Sequence, residues 1–340
     1  MNRFAWSTPR SIPEAAELAL DTAAGLMAGA PRSDADTAVL KAGGVDLLDL
    51  MKERLLAPDK LVSLAGIAEL QAIAQAPDGG LRLGSMVTLE RIATDPRVTR
   101  HYPALARAAG TSASPQIRNV ATLGGNLLQR PRCWYLRAAQ YHCLRKGGGH
   151  CFAIHGENQY HAVFENRPCA IVHPSTAATA LVALGASVRL VDPHGAVRRV
   201  PMEAFFVPVE KDVHRENDLR HQEILTAIDL PAQPASARMA HARTNQKSAF
   251  DWPLVDVAVV LDLASDGACR SAAIVLGAVA PTPHRAHAAQ AEIVGKRMDA
   301  GVAEAAGRLA AQGATPLSGN AYKVALVQTL VRRALLEAAG

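Results

Sequence analysis

The chain has 340 residues and a mass of 35.9 kDa, with 49% hydrophobic and 20% charged residues. This composition can bury a core, so it excludes a disordered or collagen-like chain, and no apolar run predicts a membrane span. The formal net charge of +5 is too small and too evenly spread to predict nucleic-acid binding by itself. The first thirteen residues lack an apolar signal core, which favours a cytoplasmic protein; export on the signal of another chain is the alternative.

A strand, a glycine turn and a helix are predicted near the N-terminus. Ser11 to Glu14 has the pattern of a capping box, which predicts a helix from there to about Met27. The run 37–42 predicts a strand, Gly43-Gly44 a tight turn, and the residues from Asp46 a helix. The next predicted elements are strands at 61–64 and 81–84, a short helix capped by Thr88, and a helix at 103–110.

The second half of the chain predicts one hairpin, two longer strands and a helical end. Ser175 has the position of an N-cap before an Ala/Leu-rich helix that ends near Leu184. The segment 222–230 is strand-like and gives way to a Pro/Ala-rich break, which predicts a domain boundary. The other predicted elements are a hairpin of 187–191 with 196–200, strands at about 254–264 and 270–280, and helices from His287, most clearly at 321–338.

Four of the five cysteines fall within one stretch of 37 residues: Cys133, Cys143, Cys151 and Cys169. Four thiolates are the ligand number of a structural zinc ion or of an iron–sulfur cluster. The absence of a C-x-x-C pair weighs against the common zinc ribbons, and the basic residues nearby would offset the negative charge of a cluster. From these residues alone a cluster is favoured, while zinc and no metal remain alternatives. Cys269 is predicted to be a small buried hydrophobic residue.

Two glycine pairs, Gly43-Gly44 and Gly124-Gly125, lie in polar turns. A glycine pair after a strand lets the backbone approach a pyrophosphate closely, with N–H groups as donors. Either pair by itself is better explained as a simple turn. The sequence has neither G-x-G-x-x-G nor G-x-x-x-x-G-K-[ST], so it supports neither a Rossmann dinucleotide site nor a P-loop.

Taken together, four segments resemble the FAD-binding subunit of the molybdenum hydroxylases, the family of xanthine dehydrogenase and carbon monoxide dehydrogenase. These segments are 40–52, 83–89, 114–126 and 223–231. The resemblance covers nearly the whole chain, including the helical end. The inserted segment that begins at Gln129 and carries the four cysteines resembles the flavin subunit of periplasmic aldehyde oxidoreductases, whose extra loop holds a 4Fe–4S cluster.

The resemblance implies an α+β fold in two parts. Residues 1–229 would form a two-subdomain PCMH-type FAD-binding domain with a Cys-rich iron–sulfur insertion at about 129–170, and residues 230–340 a smaller C-terminal domain of sheet and helices. It implies FAD and a 4Fe–4S cluster as cofactors. Its partners would be a large molybdenum-cofactor subunit, which oxidises an aldehyde or heterocycle, and a small 2Fe–2S subunit. Electrons would pass from the small subunit through FAD to an external acceptor, with no catalytic base in this chain.

The resemblance also implies which residues contact the cofactors. The loop 40–47 would wrap the FAD pyrophosphate and the later positions would line the rest of FAD, while the four cysteines would ligate the cluster. The implied FAD-binding residues are Leu40, Lys41, Ala42, Gly43, Gly44, Val45, Asp46, Leu47, Ala113, Ile117, Ala121, Thr122, Gly125, Asn126, Leu128, Ser175, Thr176, Leu225 and His241.

Three of these positions depart from the family pattern. Val45 stands where Thr is usual, Thr176 where Asp is usual, and His241 where Lys is common near the flavin. The alternative function is a zinc-stabilised module that binds nucleic acid or protein, which would leave the two glycine loops without a role. On the favoured interpretation neither nucleic acid nor a membrane is a partner.

Overall fold

The computed structural model describes residues 1–29, 37–247 and 249–340. Up to residue 230 the elements are β1 (Ala5–Ser7), α1 (Ile12–Leu18), α2 (Ala23–Met27), β2 (Ala38–Lys41), α3 (Val45–Lys52), β3 (Lys60–Ser63), β4 (Ile73–Gln75), β5 (Leu81–Gly84), α4 (Leu89–Thr94), α5 (Pro96–His101), α6 (Pro103–Gly110), α7 (Pro115–Arg118), α8 (Leu123–Leu127), α9 (Trp134–Arg137), α10 (Thr176–Ala183), β6 (Ser187–Val191), β7 (Val197–Pro201), α11 (Met202–Phe205) and β8 (Ile224–Leu230).

The remaining elements are β9 (Ala237–Asn245), β10 (Pro253–Leu263), β11 (Cys269–Gly277), β12 (His284–Arg285), α12 (His287–Ile293), α13 (Ala300–Ala310) and α14 (Tyr322–Ala339). Short 3₁₀ turns lie at Leu64–Gly66, Ala68–Gln71, Leu144–Lys146 and Phe152–Ile154. In the part of the chain that the structure describes, none of the helices combines the length and apolarity that crossing a bilayer requires. The mixture of sheets and helices confirms the predicted α+β class.

The N-terminal strands form a parallel sheet in the order β1-β3-β2. Ser11 caps α1 as predicted, since its Oγ accepts a hydrogen bond from the N–H of Glu14 at 3.3 Å. The prediction that one helix runs on to Met27 is wrong. Helix α1 ends at Leu18, and the backbone of Asp21 then pairs with Val39 of β2. This pairing takes the chain out of the helix before α2 begins.

A five-stranded antiparallel sheet in the order β4-β5-β8-β6-β7 forms the middle of the molecule. The predicted hairpin is confirmed: Ser187 pairs with Pro201 and Val191 with Val197. Helix α10 packs beside this sheet, and every one of its residues is buried. Its sequence is apolar on all sides, which is expected of a helix enclosed between two layers. The predicted cap is also present, because Ser175 Oγ accepts the N–H of Ala178 at 3.0 Å.

The C-terminal sheet has the order β12-β11-β10-β9 and is covered on both faces. One face shares a hydrophobic core with α6 and α10, and the other packs against α12, α13 and α14. Strand β9 was not predicted, because the region after Pro231 has the composition of a break. Strand β9 is stabilised by backbone hydrogen bonds to β10, for example where Ala242 lies opposite Val257. Such pairing between strands cannot be predicted from the residues of β9 alone.

The second half of the cysteine-rich insertion is held by the start of the last helix. The Nζ of Lys323 is buried and donates to the carbonyl oxygens of Tyr160 at 2.9 Å and Ala278 at 2.8 Å. Burial lowers the pKa of Lys323 to about 7. Just before it, Asn320 Nδ2 donates to the carbonyl oxygen of His161 at 3.1 Å. The insertion is therefore packed against the start of α14.

Helices α13 and α14 approach closely at Gly307, and this contact can be tested. A Cβ at Gly307 would lie 2.6 Å from the carbonyl oxygen of Gln328, whereas a Cβ at Gly301 of the same helix would meet nothing closer than 3.4 Å. Gly307→Ala should lower the free energy of unfolding by about 1–3 kcal/mol through overpacking. Gly301→Ala should leave it unchanged or raise it by up to about 1 kcal/mol. Thermal unfolding of the two variants measures the difference, and equal melting temperatures would contradict the close packing.

Candidate functional site

A cavity of about 520 Å³ lies where the two glycine loops meet. Most of the predicted FAD-binding residues are in its wall: Leu40, Ala42, Gly43, Gly44, Val45, Asp46, Leu47, Ala113, Ile117, Ala121, Thr122, Gly125, Asn126, Leu128, Thr176 and Leu225. Lys41, Ser175 and His241 are not part of the wall. The wall also contains residues that were not predicted to contact FAD, among them several between 215 and 222, Arg243 and the segment 250–253.

The first glycine loop is shaped by a close contact with the second. A Cβ at Gly43 would lie 2.2 Å from the carbonyl oxygen of Val120, so only glycine fits there. Gly44 has φ +85° and is the N-cap of α3, and no side chain caps the first N–H groups of that helix. Uncapped N–H groups at a helix N-terminus favour an anion. A turn of this shape fits a pyrophosphate.

The second glycine loop is fixed by its own cap and by β5. Thr122 Oγ1 accepts the N–H of Gly125 at 3.1 Å, which begins helix α8. A Cβ at Gly124 would lie 3.0 Å from the backbone oxygen of Ser85. Asn126 Oδ1 accepts the hydroxyl of Ser175 at 2.6 Å. Ser175 thus lies behind the wall and holds Asn126 in place.

Two of the positions that depart from the family pattern present no additional polar group to the cavity. Thr176 is buried, and its hydroxyl bonds within the protein to Ser112 Oγ at 2.8 Å and to the carbonyl oxygen of Ala108 at 3.2 Å. Val45 is partly exposed at the wall and has no hydrogen-bonding side chain. At these two positions the cavity depends on backbone and neighbouring groups for polar contacts.

Lys41 and His241 point elsewhere. The Nζ of Lys41 lies 5.4 Å from the ring centre of Trp6. His241 is buried, its Nε2 bonds to Asp256 Oδ1, and its Nδ1 has no partner among the described residues. The cation that does line the cavity on strand β9 is Arg243, two residues further along. If β9 had been predicted as a strand, Arg243 would have been a candidate as well, because residues two apart in a strand, such as His241 and Arg243, lie on the same face.

Asp46 joins the first glycine loop to the start of the insertion. Its Oδ2 accepts the backbone N–H of Arg130 at 2.8 Å. Its Oδ1 pairs with Arg132 Nη1 at 2.9 Å and with Arg137 Nη2 at 2.5 Å. Asp46 is also in the first turn of α3, where a negative charge is favourable. Although Asp46 lines the cavity, its carboxylate is engaged by these arginines.

An aromatic residue of the C-terminal part closes one side of the cavity. The guanidinium carbon of Arg132 lies 4.6 Å from the ring centre of Trp252, a cation–π contact. Burial lowers the pKa of Arg132 to about 10. Phe250, on the same segment, is 67% exposed at the rim. Neither aromatic residue was selected from the sequence, because no local pattern distinguishes them from ordinary loop residues.

The four predicted cysteines come together within the insertion. Cys133 packs in the same apolar cluster as Cys143, and in a second one with Cys151 and Cys169. All of them are free thiols. Burial raises the pKa of Cys133 to about 12. A thiol–thiol hydrogen bond lowers the pKa of Cys151 to about 6 and raises that of Cys169.

Donor groups surround these sulfur atoms. Two cationic side chains lie nearby: Arg145 beside Cys169, and Lys146 near Cys143 and Cys133. The backbone groups that bond to sulfur belong to Tyr135 and Leu136 at Cys133, Ala153, Ile154 and Ala170 at Cys151, and Ile171 at Cys169. Backbone N–H groups and cations of this kind stabilise negatively charged thiolates.

Both halves of the chain match known protein families. The family described as the FAD binding domain in molybdopterin dehydrogenase matches residues 2–233, and the CO dehydrogenase flavoprotein C-terminal domain matches residues 240–338. The aldehyde oxidoreductase FAD-binding subunit PaoB of Escherichia coli K12 is 34% identical over 299 residues, which are 87% of this chain and 90% of that subunit. The carbon monoxide dehydrogenase medium chain of Hydrogenophaga pseudoflava is 28% identical over 98% of this chain and 96% of that one.

Solved structures have the same fold over almost the whole length. Carbon monoxide dehydrogenase from Hydrogenophaga pseudoflava, in a form that lacks the Mo-pyranopterin moiety of its cofactor, aligns with a TM-score of 0.74 and 28% identity. Quinoline 2-oxidoreductase from Pseudomonas putida 86 aligns with a TM-score of 0.74 and 27% identity. Each alignment covers 99% of this chain and 97% of the other.

The contact between the glycine loops gives a test of the cavity. Gly43→Ala should push the loops apart, because its Cβ would overlap the carbonyl oxygen of Val120 at 2.2 Å. We expect the FAD released by acid precipitation to fall well below one per chain in this variant. Gly301→Ala, outside the cavity, is the matched control and should keep full FAD content. Full FAD content in Gly43→Ala would show that this loop is only a turn.

Proposed function

This chain belongs to the FAD-binding subunits of the molybdenum hydroxylases, and from that premise we propose that it holds one non-covalent FAD as the electron-transfer centre of a larger complex. The observation that supports this proposal is the cavity in which both glycine loops meet, with an uncapped helix N-terminus in its wall. When bound, FAD supplies the redox chemistry, accepting electrons from iron–sulfur centres and passing them to an external acceptor. We therefore assign no catalytic acid or base to this chain.

The residues of the wall have binding and orienting roles. Gly43 and Gly44 bring backbone N–H groups to the pyrophosphate without the obstruction of a side chain. Asn126, held by Ser175, offers its amide to the cavity, while Thr122 keeps the second loop in shape. Trp252 and Arg132 pack against each other at one side of the cavity. We propose the same roles, binding and orienting FAD, for the other predicted residues that lie in the wall of the cavity.

We propose that the complex oxidises an aldehyde on a separate large subunit that carries the molybdenum cofactor. The similarity to an aldehyde oxidoreductase subunit supports this substrate class. A small 2Fe–2S subunit would deliver electrons to this chain, which makes the assembly a heterotrimer. The alternative, a zinc-stabilised module for nucleic acid or protein, is not supported. The matched family and relatives are FAD-binding subunits, and such a module would leave the two glycine loops without a role.

We further propose that Cys133, Cys143, Cys151 and Cys169 ligate a 4Fe–4S cluster. The gathering of four free thiols, with backbone N–H groups and two cations around them, supports this assignment. We favour a structural role, because the insertion contains one short helix and two 3₁₀ turns, and a cluster would cross-link it.

The domain division and the compartment are also proposals. We divide the chain at 229/230, close to the end of β8 at Leu230 and before β9 begins at Ala237. We propose the cytoplasm as the compartment, with export alongside a partner that carries a signal as the alternative. Fractionation of cells into cytoplasm and periplasm decides between the two compartments.

The complex itself can be tested by affinity purification of the full chain from its native host. We expect a molybdenum-containing large subunit and a small 2Fe–2S subunit to co-purify, and the purified complex to oxidise aldehydes with an artificial acceptor. The isolated chain should bind FAD but have no aldehyde oxidation activity, because it contains no substrate site. A monomeric chain that oxidises aldehydes alone would overturn the electron-transfer proposal.

The cysteine site can be tested by Cys143→Ser, with Cys269→Ser as the matched control. Both residues are buried, but Cys269 lies in β11, away from the other four. Cys143→Ser should lower iron and sulfide content and the melting temperature, and should impair assembly, since the insertion loses a cross-link. Turnover per bound FAD in the complex that does assemble should remain near normal. Equal iron content in the two variants would exclude Cys143 as a ligand. If Cys143→Ser assembles fully and binds FAD but its turnover is largely lost, the cluster would instead be an electron relay.

A further inference from the structure

A second cavity, of about 470 Å³, adjoins the FAD cavity. The two cavities share three wall residues, Ala113, Arg243 and Phe250. Among the described residues, none of the glycines of the two glycine loops lines the second cavity. The second cavity is therefore next to the proposed FAD site, but it lies apart from the turn that we assign to the pyrophosphate.

Two of the three shared residues have a strained backbone. The φ angle is +47° at Ala113 and +56° at Phe250, in the left-handed region that residues with a Cβ seldom adopt. Such conformations persist where the surrounding structure holds them, and they are concentrated at ligand sites. The wall between the two cavities therefore has a feature that is typical of a binding site.

The wall of the second cavity is positively charged. Its charged residues, within the part of the chain that the structure describes, are Arg118, Arg243 and Lys247. Arg118 Nε pairs with Glu90 Oε2 at 2.7 Å, so the charge of Arg118 is compensated. The ammonium group of Lys247 has no hydrogen bond or ion pair with another described residue, and Asp251 accepts only its backbone N–H, at 3.0 Å. A cleft lined by charges of one sign attracts ligands of the opposite sign.

Arg243 is held at the boundary of the two cavities by strand pairing. It lies opposite Asp256 of β10, so both side chains are on the same face of the sheet. Asp256 is buried, its Oδ1 is bonded to His241, and its Oδ2 has no hydrogen-bond partner among the described residues. Arg243 Nη2 donates to the carbonyl oxygen of Asp251 at 2.9 Å. Arg243 thus lines both cavities, while the buried carboxylate that attracts it lies outside them.

We propose that the second cavity is the site at which a small anionic electron acceptor approaches FAD, with Lys247 and Arg243 as the residues that select for negative charge. This inference rests on the proposed function, because it needs FAD in the adjoining cavity. A cavity of this size admits a small molecule. Ferricyanide is a probe of this class: two ferricyanide ions take up the two electrons of one reduced FAD and become ferrocyanide, and the protons released pass to solvent.

Binding is tested with hexacyanocobaltate(III), a trianion with the charge and shape of ferricyanide that does not take up electrons from the flavin. Calorimetric titration of the purified complex measures its dissociation constant. Lys247→Gln should raise this constant by about three- to tenfold at low ionic strength. Lys296→Gln, at a half-exposed lysine outside both cavities, is the matched control and should leave it unchanged. Both variants should keep one FAD per chain, since neither lysine lines the FAD cavity.

Selection for negative charge is tested by aldehyde oxidation with two one-electron acceptors, the ferricyanide anion and the ferrocenium cation. In Lys247→Gln we expect kcat/KM for ferricyanide to fall by about three- to tenfold, and that for ferrocenium to stay the same or rise. Arg243→Gln should change the ratio of the two values in the same direction, with rates expressed per bound FAD. In the unsubstituted complex, added salt should lower kcat/KM for ferricyanide.

Each outcome decides the proposal. Weaker binding of the trianion together with a smaller preference for ferricyanide, in Lys247→Gln but not in Lys296→Gln, supports it. Unchanged binding, or an equal loss of rate with both acceptors, would overturn it. Equal weakening of binding in the two lysine variants would also overturn it, because the trianion would then bind to surface cations in general. An unsubstituted complex without FAD would show that the proposed function itself has failed, whereas an FAD-replete complex without a preference for anions contradicts this inference alone.

Discussion

The carboxylate of Asp46 is the contact on which the arrangement of the two candidate sites depends. A single side chain, 15% exposed, accepts the backbone of Arg130 and pairs with Arg132 and Arg137. Partial burial makes such pairs stronger than ion pairs on an open surface. The backbone of the same residue belongs to the helix that begins at Gly44. A displacement of the start of the insertion would therefore also disturb the turn that we assign to the pyrophosphate.

The shape of the cavity depends on two glycines, at positions where a side chain would not fit, as much as on the side chains in its wall. Gly43 against Val120, and Gly124 against Ser85, leave no room for a Cβ, so three separate segments meet backbone to backbone. Ser175 does not line the cavity, but its hydroxyl donates a hydrogen bond to Asn126, which does. The hydroxyl of Thr176 is likewise hydrogen-bonded within the protein, to Ser112. The polar groups at the N-terminus of α3 are backbone N–H groups, which a substitution at Val45 or Thr176 does not remove.

The sequence predicts local features well and contacts between distant segments poorly. The glycine turn at 43–44, the Ser175 cap and the 187–201 hairpin follow from short-range patterns, and all are present. Strand β9 escaped prediction because it is stabilised by its partner β10 more than by its own alternation. Arg145 and Glu216 are 71 residues apart, and nothing in either local sequence indicates that they are paired. For the cysteines, clustering in the sequence did indicate proximity, and the structure brings them together.

The hydrogen bonds from Lys323 and Asn320 to the backbone of Tyr160 and His161 have a consequence for how the protein is made. The cysteines are synthesised early, but the helix that holds the second half of their loop is α14, which ends at Ala339. A nascent chain on the ribosome cannot complete this packing until α14 has been synthesised. Until then the backbone of Tyr160 and His161 lacks the hydrogen bonds that hold it in the folded chain.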